Sequence, residues 1–220
     1  MKLSSKLLVM AALGTVAMPS LHAAVSSFSF QEIGAESVYA DNTGTTLAPN
    51  GSLVLLVADT SGNGSGFGSI TGGQNIDVGS IIAGHDLVVD QEGLSADGLL
   101  FASPSLTTFS NWVSGDPLAI YWIPSLTPGA TTVAGSVDYG LYTSSVVSGG
   151  SAAWITPNDG DSYPPIYFST NNGDLGPSNA PSDAGFASMM TTPIPEPSVY
   201  ALLGGLTAMG VALRKRKQTA

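Results

Sequence analysis

Residues 52–58 read Ser-Leu-Val-Leu-Leu-Val-Ala, and this run decides the fold class of the chain. A short run that is apolar at every position after the first is typical of a strand buried on both faces of a sheet, because an amphipathic surface helix would place polar residues at a period of about 3.6. Turn-forming sequences bound the run, with Pro49-Asn50-Gly51 before it and Asp59-Thr60-Ser61-Gly62 after it. We therefore expect a central strand at Ser52–Asp59.

Short β-rich runs continue on both sides of this strand, and no stretch of the body shows a sustained helical period. Clusters of Gly, Asn, Asp, Ser and Pro separate the runs. Besides the central strand, the predicted strands are Val25–Ile33, Glu36–Ala40, Phe67–Ile70, Ile81–Asp90, Leu99–Ser103, Leu118–Ile123, Val137–Thr143, Ala152–Thr156, Ile166–Thr170 and Ala184–Thr192. Val137–Thr143 mixes polar and apolar residues, which predicts a half-exposed strand. The series predicts an all-β fold, a single β-sandwich or jelly-roll-like domain over residues 24–192.

The charged residues are divided sharply along the chain. Residues 7–213 contain no Lys or Arg, whereas all sixteen acidic residues lie between Glu32 and Glu196. The six basic residues are Lys2, Lys6, Arg214, Lys215, Arg216 and Lys217. A domain without cations cannot neutralise phosphates, which excludes nucleic acid as a partner. The chain also has no cysteine, so its domain must be held by a hydrophobic core rather than by disulfides.

Residues 1–23 have the parts of a secretory signal peptide. A basic start is followed by a twelve-residue apolar run over residues 7–18 and then by Pro-Ser. Such a run is too short for a stable membrane span and suits the central part of a signal peptide. Ala23 and Ala24 flank the expected cleavage site. We therefore predict that the signal peptide is removed and that the mature chain begins at Ala24.

Residues 193–220 have the parts of a membrane-tethering signal. Val199–Leu213 is apolar and would form a helix about 22 Å long, shorter than the roughly 30 Å hydrocarbon core of a bilayer. Snorkelling of the basic cluster Arg214-Lys215-Arg216-Lys217 and local thinning can cover this mismatch. By the positive-inside rule the cluster stays cytoplasmic. The arrangement predicts a stop-transfer segment that leaves residues 24–197 outside the inner membrane.

The same segment resembles the PEP-CTERM sorting domain of Gram-negative bacteria. The resemblance rests on Pro195-Glu196-Pro197-Ser198, then Tyr200-Ala201-Leu202-Leu203-Gly204, then the Arg/Lys tail. It implies that an exosortase in the inner membrane recognises Pro195, Glu196 and Pro197 and processes the chain near them. The family commonly accompanies exopolysaccharide and biofilm production, so the resemblance also implies a location at the cell surface or outside the cell.

Candidate catalytic residues are few in this sequence. His85, the one histidine after the signal peptide, precedes Asp86, but no Gly-x-Ser-x-Gly sequence offers a nucleophile. Adjacent residues of a strand point to opposite faces, so we expect His85 and Asp86 not to pair. Glycoside hydrolysis needs two facing carboxyls, and the spacing of Glu32, Glu36 and Glu92 singles out no pair. We interpret these glutamates as solvated charges, and the sequence favours a protein that is not an enzyme.

One acidic loop resembles an EF-hand in its first half. Residues 59–65 place oxygen-bearing side chains at alternate positions, but the twelfth position is Ile70, where an EF-hand requires a bidentate Glu. An EF-hand is therefore rejected. A weaker calcium site of a β-sandwich, using Asp59 or the pair Asp159 and Asp161, remains open beside the alternative of plain turns. Calcium is the one cofactor that the sequence suggests, and no other metal site is predicted.

The tryptophans offer a second binding hypothesis. Trp122 lies in an apolar run and is predicted to be in the core, whereas Trp112 and Trp154 follow polar or small residues and could be surface platforms that stack on sugars. Core packing is the alternative for both.

These features predict an exported structural or adhesive protein of the bacterial surface. The expected partners are an exosortase, the export machinery, the inner membrane as a transient contact, and exopolysaccharide. Two alternatives stay open, a carbohydrate-binding module and a jelly-roll glycosidase. A buried pair of carboxyls in a cleft would favour the glycosidase.

Overall fold

The structure is a computed structural model that describes residues 29–30, 33–103, 106, 108–145, 153–163, 165–169 and 184–191. Within these ranges the chain forms eleven β-strands and no helix. The strands are β1 (Ser29–Phe30), β2 (Ile33–Glu36), β3 (Leu53–Asp59), β4 (Ile81–Ile82), β5 (Asp86–Gly93), β6 (Leu99–Ala102), β7 (Leu118–Ile123), β8 (Asp138–Tyr142), β9 (Ser162–Tyr163), β10 (Ile166–Ser169) and β11 (Met189–Met190). The all-β class is confirmed for the described residues. The predicted signal peptide and C-terminal apolar helix lie outside them.

Six strands form one antiparallel sheet in the order β11-β8-β7-β3-β5-β4. The strand β3 lies between β5 and β7, and all seven of its residues are buried. The prediction of a central strand is therefore confirmed. The strand β8 runs from exposed Asp138 through buried Tyr139 to half-buried Tyr142, which confirms the prediction of a half-exposed strand.

A smaller sheet has the order β10-β2-β6, with β10 parallel to β2 and β6 antiparallel to it. The strands β1 and β9 form another parallel pair just before β2 and β10 in the chain. Ser29 pairs with Ser162 and Ile33 pairs with Ile166, so the partner's residue number is higher by 133 in both pairs. The two pairs therefore share one register, and together, as the parallel ribbon, they bring early and late described strands of the chain side by side.

Alternate residues of β3 face opposite sides of the large sheet and enter two apolar clusters. Val54, Leu56 and Ala58 belong to the cluster between the two sheets, together with Ile33 and Phe168 of the small sheet. The residues between them belong to a second cluster, which loop residues close on the far side. The loop residues of that cluster are Phe67, Ile70, Ile76, Leu126, Ala130, Val133 and Val137. Two sheets that share one apolar cluster are compatible with a β-sandwich.

Several predicted strands differ from the observed ones. The predicted strand Ile81–Asp90 is two strands, because a turn at Ala83 and Gly84 with φ of 50° and 90° reverses the chain between β4 and β5. Residues 67–70 are not a strand although Ile70 is buried. Residues 153–156 form only an isolated bridge from Ile155 to Pro117. In the last two cases an apolar residue, Ile70 or Trp154, is buried without a sheet ladder, and the pattern of side chains alone cannot distinguish this from a strand.

Candidate functional site

Two aspartates meet at one end of the large sheet. The strand β3 ends at Asp59, β5 begins at Asp86, and the antiparallel register makes these two residues direct partners. Both residues are buried, with exposed fractions of 1% and 0%. Like charges directly opposite each other on neighbouring strands are destabilising, so this pair requires compensation from a third group.

His85 lies between the two carboxylates. Its Nε2 atom is 3.6 Å from Asp59 Oδ1 and 3.4 Å from Asp86 Oδ1. The side chain of His85 is 31% exposed, whereas those of both aspartates are fully buried. The expectation that His85 and Asp86 would not pair is wrong, because His85 belongs to the turn before β5 and is not bound by the alternation of side chains within the strand.

The loop after β3 wraps around the carboxylates and fixes them with backbone hydrogen bonds. Asp59 accepts hydrogen bonds from the N–H groups of Ser61 at 2.9 Å and Gly66 at 3.1 Å. Asp86 Oδ2 accepts one from the N–H of Gly68 at 2.8 Å, and the hydroxyl of Tyr121 lies 3.4 Å from the same oxygen. The run that resembles half of an EF-hand is therefore a loop that anchors two buried carboxylates.

The imidazole nitrogen of His85 has an unusually oxygen-rich environment. Besides the two carboxylates, Ser65 Oγ lies 2.9 Å and the Gly66 carbonyl oxygen 3.0 Å from Nε2. Four oxygens thus surround one nitrogen, which carries at most one hydrogen. Asp86 Oδ1, which is buried, accepts no hydrogen bond from any residue that the structure describes. The number of hydrogen-bond acceptors around Nε2 therefore exceeds the one hydrogen that this nitrogen can donate.

The electrostatics of the site follow from this geometry. The hydrogen bond to the Gly66 carbonyl raises the pKa of His85, burial opposes this effect, and the charges of Asp86 and Asp59 add to the increase. Burial raises the pKa of Asp86, partly offset by the hydrogen bond from Gly68. The site therefore attracts a positive charge, either a proton on His85 or a cation.

Asp59 also borders a cleft of about 250 Å³ beside the site. The opposite wall is formed by residues 113–117, including Asp116, whose Oδ2 accepts a hydrogen bond from the N–H of Val113. Asp59 and Asp116 are both buried and both line this cleft, which is the arrangement expected to favour the alternative of a jelly-roll glycosidase. That alternative therefore stays open beside the non-enzymatic one.

The other acidic candidates do not assemble into a site of this kind. Asp159 and Asp161 lie exposed in a turn, where the side-chain amide of Asn158 donates to Asp161 at 3.1 Å. Within the described ranges, the group of three potential metal ligands is that of Asp59, His85 and Asp86. The sequence indicated Asp59 as a calcium candidate and His85 with Asp86 as a possible catalytic pair, but it did not bring the three together, because the cross-strand register that unites them is not readable from spacing.

The tryptophans are in the core. Trp112 and Trp154 are 0% and 1% exposed, so their interpretation as surface sugar platforms is wrong. Trp112 donates from Nε1 to Thr156 Oγ1 at 2.7 Å, and the ring of Trp154 packs edge-on against Tyr142 with centroids 5.4 Å apart. Trp122 is fully buried, and its predicted core role is confirmed. Polar neighbours in the sequence did not imply exposure, since the indole N–H of Trp112 has a buried acceptor.

The terminal signals lie outside the described residues. They comprise the cleavage position at Ala23 and Ala24, the motif Pro195, Glu196 and Pro197, and the cluster Arg214, Lys215, Arg216 and Lys217. In the part of the chain that the structure describes, no helix has the length and apolar character to cross a membrane. Comparison of the chain with protein-family models, with curated proteins and with solved structures finds no match.

Proposed function

We propose that this chain is the precursor of a cell-surface or extracellular-matrix protein of a Gram-negative bacterium, whose β domain has a structural or adhesive rather than an enzymatic role. The observation that carries the proposal is the order of three features near residue 200. A Pro-Glu-Pro triplet at residues 195–197 precedes an apolar run over residues 199–213, and four basic residues follow at once. An inner-membrane exosortase would recognise the triplet, and the basic residues would hold the segment in the membrane until processing.

The domain is suited to a role outside the cell. Its described residues bury three tryptophans and the whole of the central strand β3, so the core is substantial although the chain has no cysteine. We propose a single β-sandwich or jelly-roll-like domain over residues 24–192. Association with exopolysaccharide, as expected from the resemblance, would use surfaces other than Trp112 and Trp154.

The test follows the fate of the C-terminal segment. The chain is expressed in a bacterium that has an exosortase, membranes and surface fractions are separated, and intact masses are measured. We expect the surface form to lack the apolar segment, because processing near residues 195–197 removes it. The double substitution Pro195→Ala with Glu196→Ala should leave the precursor in the inner membrane.

A matched control is Pro193→Ala, which changes a nearby proline outside the triplet and should leave processing intact. A surface-located protein that still ends at Ala220 would contradict the proposal. Equal processing of the double variant would contradict recognition of the triplet.

A further inference from the structure

The site at the end of β3 has two carboxylates, and a proton on His85 would balance the charge of only one of them. Asp59 and Asp86 are buried and directly opposed, and residues 7–213 contain no Lys or Arg. Buried carboxylates in such a position require a proton or a cation to compensate them. The buried Asp86 Oδ1 adds an independent sign, since it accepts no hydrogen bond within the described structure and lies 3.4 Å from His85 Nε2.

We propose that Asp59, His85 and Asp86 bind a Zn²⁺ ion, which ties the loop of residues 60–68 to the end of the β3–β5 pair. Each of the three residues offers one ligand atom, and these atoms all lie within 4.8 Å of one another. The imidazole is partly exposed, so an ion can enter from solvent. The inference concerns the β domain itself and does not depend on how the chain is exported.

The two distances from the imidazole nitrogen to the carboxylate oxygens suit this ion. Zinc bonds to imidazole nitrogen and carboxylate oxygen are about 2.0–2.2 Å long, so two ligands of a tetrahedral site lie about 3.3–3.6 Å apart. The Nε2 atom of His85 lies 3.4 Å and 3.6 Å from the carboxylate oxygens of Asp86 and Asp59. Three protein ligands leave a fourth position, which Ser65 Oγ, the Gly66 carbonyl or a water can take.

The mixture of ligands distinguishes zinc from calcium. Calcium in proteins takes oxygen ligands, whereas imidazole nitrogen with carboxylate oxygen is a set that zinc accepts readily. Asp59, which the sequence suggested as a calcium ligand, thus belongs to a site whose ligands favour zinc over calcium. The backbone N–H groups of Ser61, Gly66 and Gly68 hold the carboxylates in position, as outer hydrogen bonds do in metal sites.

Zinc binding at this site exchanges a proton for the metal. Without metal, Nε2 carries the hydrogen that is donated to the Gly66 carbonyl oxygen. To bind zinc through Nε2, the imidazole must be neutral with its hydrogen on Nδ1. An imidazolium releases its Nε2 proton to solvent, whereas the neutral Nε2–H form loses the proton at Nε2 and gains one at Nδ1 with no net release. Affinity should therefore fall as the pH is lowered.

The experiment uses the full chain, purified and stripped of metal with EDTA, and titrates it with ZnCl₂ at pH 7.5. Isothermal titration calorimetry should show one equivalent bound with a micromolar or tighter dissociation constant, and the melting temperature should rise by several degrees. His85→Gln and Asp86→Asn should each weaken binding by about 100-fold or more, because the first removes the imidazole nitrogen and the second removes the negative charge of the carboxylate. MnCl₂, CaCl₂ and MgCl₂ serve as comparison titrations.

A matched control is Asp161→Asn, which removes an exposed carboxylate and should leave zinc affinity unchanged. If Asp86→Asn does not fold, His85→Gln still decides the matter, since its side chain lies at the surface of a turn. Absence of zinc binding, unchanged binding in His85→Gln, or binding of calcium in preference to zinc would each overturn the proposal. So would a melting temperature that depends on pH but on no metal, because a proton on His85 would then be the sole counter-charge.

Discussion

Asp90 shows how one extra residue in a strand brings a carboxylate to the apolar core. The register between β3 and β5 shifts by one residue between Leu56 and Val57. Leu56 pairs with Asp90 and Val57 pairs with Val88, so Val89 is the extra residue of a β-bulge. Both Val89 and Asp90 consequently face the cluster between the two sheets. Burial, and to a smaller extent the charge of Glu92, raise the pKa of Asp90 to about 6.

We predict that Asp90→Asn stabilises the domain at pH 7. A carboxyl whose pKa is raised on folding binds its proton more tightly in the native state, so the native state loses stability as pH rises from about 4 to about 6. The shift of about two units corresponds to roughly 2.7 kcal/mol, and partial exposure of Asp90 reduces the expected gain to the order of 1 kcal/mol. Urea unfolding at pH 4 and pH 7 measures it, with the exposed Asp97→Asn as control. Equal stability of wild type and variant at pH 7 would show that Asp90 is better solvated than its surroundings indicate.

At the scale of single residues, the sequence identified candidate ligands but not the contacts between them. Asp59 was singled out as a calcium candidate because oxygen-bearing side chains alternate over residues 59–65. Its partnership with His85 and Asp86 was missed, because that contact depends on a strand register and on a turn at Ala83 and Gly84. The positive φ of Ala83, 50°, is a conformation that no sequence rule would assign to alanine.

At the scale of elements, a glycine of β8 leaves room for the side chain of its partner residue on β7. Gly140 of β8 is the partner of Trp122 of β7, and a Cβ atom at residue 140 would overlap the indole ring. The ring is stacked on Phe168 with centroids 6.0 Å apart, and its Nε1 donates to the Tyr39 carbonyl at 3.1 Å. Glycine at this position therefore permits a ring contact between the large and small sheets.

We predict that Gly140→Ala destabilises the domain by about 3 kcal/mol, because overfilling a packed core displaces rings that have no free space. The free energy of unfolding, measured in urea, tests this. Asp138→Ala on the same strand is the control, since Asp138 is exposed and its loss should change stability little. A Gly140→Ala protein as stable as wild type would mean that Trp122 can move without loss of its contacts.

The predicted strand boundaries were accurate where an apolar run of the sequence also forms a ladder of backbone hydrogen bonds with its neighbours. The buried strands β3 and β7 match Ser52–Asp59 and Leu118–Ile123 to within one residue. The strand β9 (Ser162–Tyr163) was not predicted, because a two-residue strand has no measurable alternation. The short strands depend on tertiary contacts, and these are absent from any local pattern.

At the scale of the whole molecule, the domain carries uncompensated negative charge. All sixteen acidic residues except Glu196 precede the proposed sorting signal, and Lys and Arg are absent from residues 7–213. Compact folding brings these charges together, so their repulsion lowers the stability of the native state. Salt limits the range of that repulsion to about 8 Å at 0.15 M ionic strength.

We predict that the melting temperature rises as sodium chloride is increased from about 0.01 M to about 0.3 M. EDTA is kept in the buffer, so that a divalent ion at the site of Asp59, His85 and Asp86 does not contribute. Potassium chloride should have the same effect, since screening depends on ionic strength alone. A melting temperature that stays constant or falls in both salts would mean that the acidic residues are too far apart to repel.

The sequence predicted the all-β class of the whole fold but not which distant strands pair with each other. Hydrophobic runs and turns were sufficient for an all-β domain. They gave no indication that β1 and β2 pair in parallel with β9 and β10, because a parallel pairing over 133 residues leaves no turn signal between its strands.

That parallel ribbon has a consequence for the order of events while the chain emerges from a ribosome or a translocation channel. The large sheet can assemble up to β8 by the time Tyr142 has emerged, whereas β2 waits for Ile166–Ser169 to complete its sheet. Phe168 then closes the core against Trp122 and Tyr142. Ser169 lies only 26 residues before Pro195. A protein delivered N-terminus first would therefore finish folding only as the proposed processing signal arrives, so that the proposed cleavage near residue 195 would release a domain that has just closed.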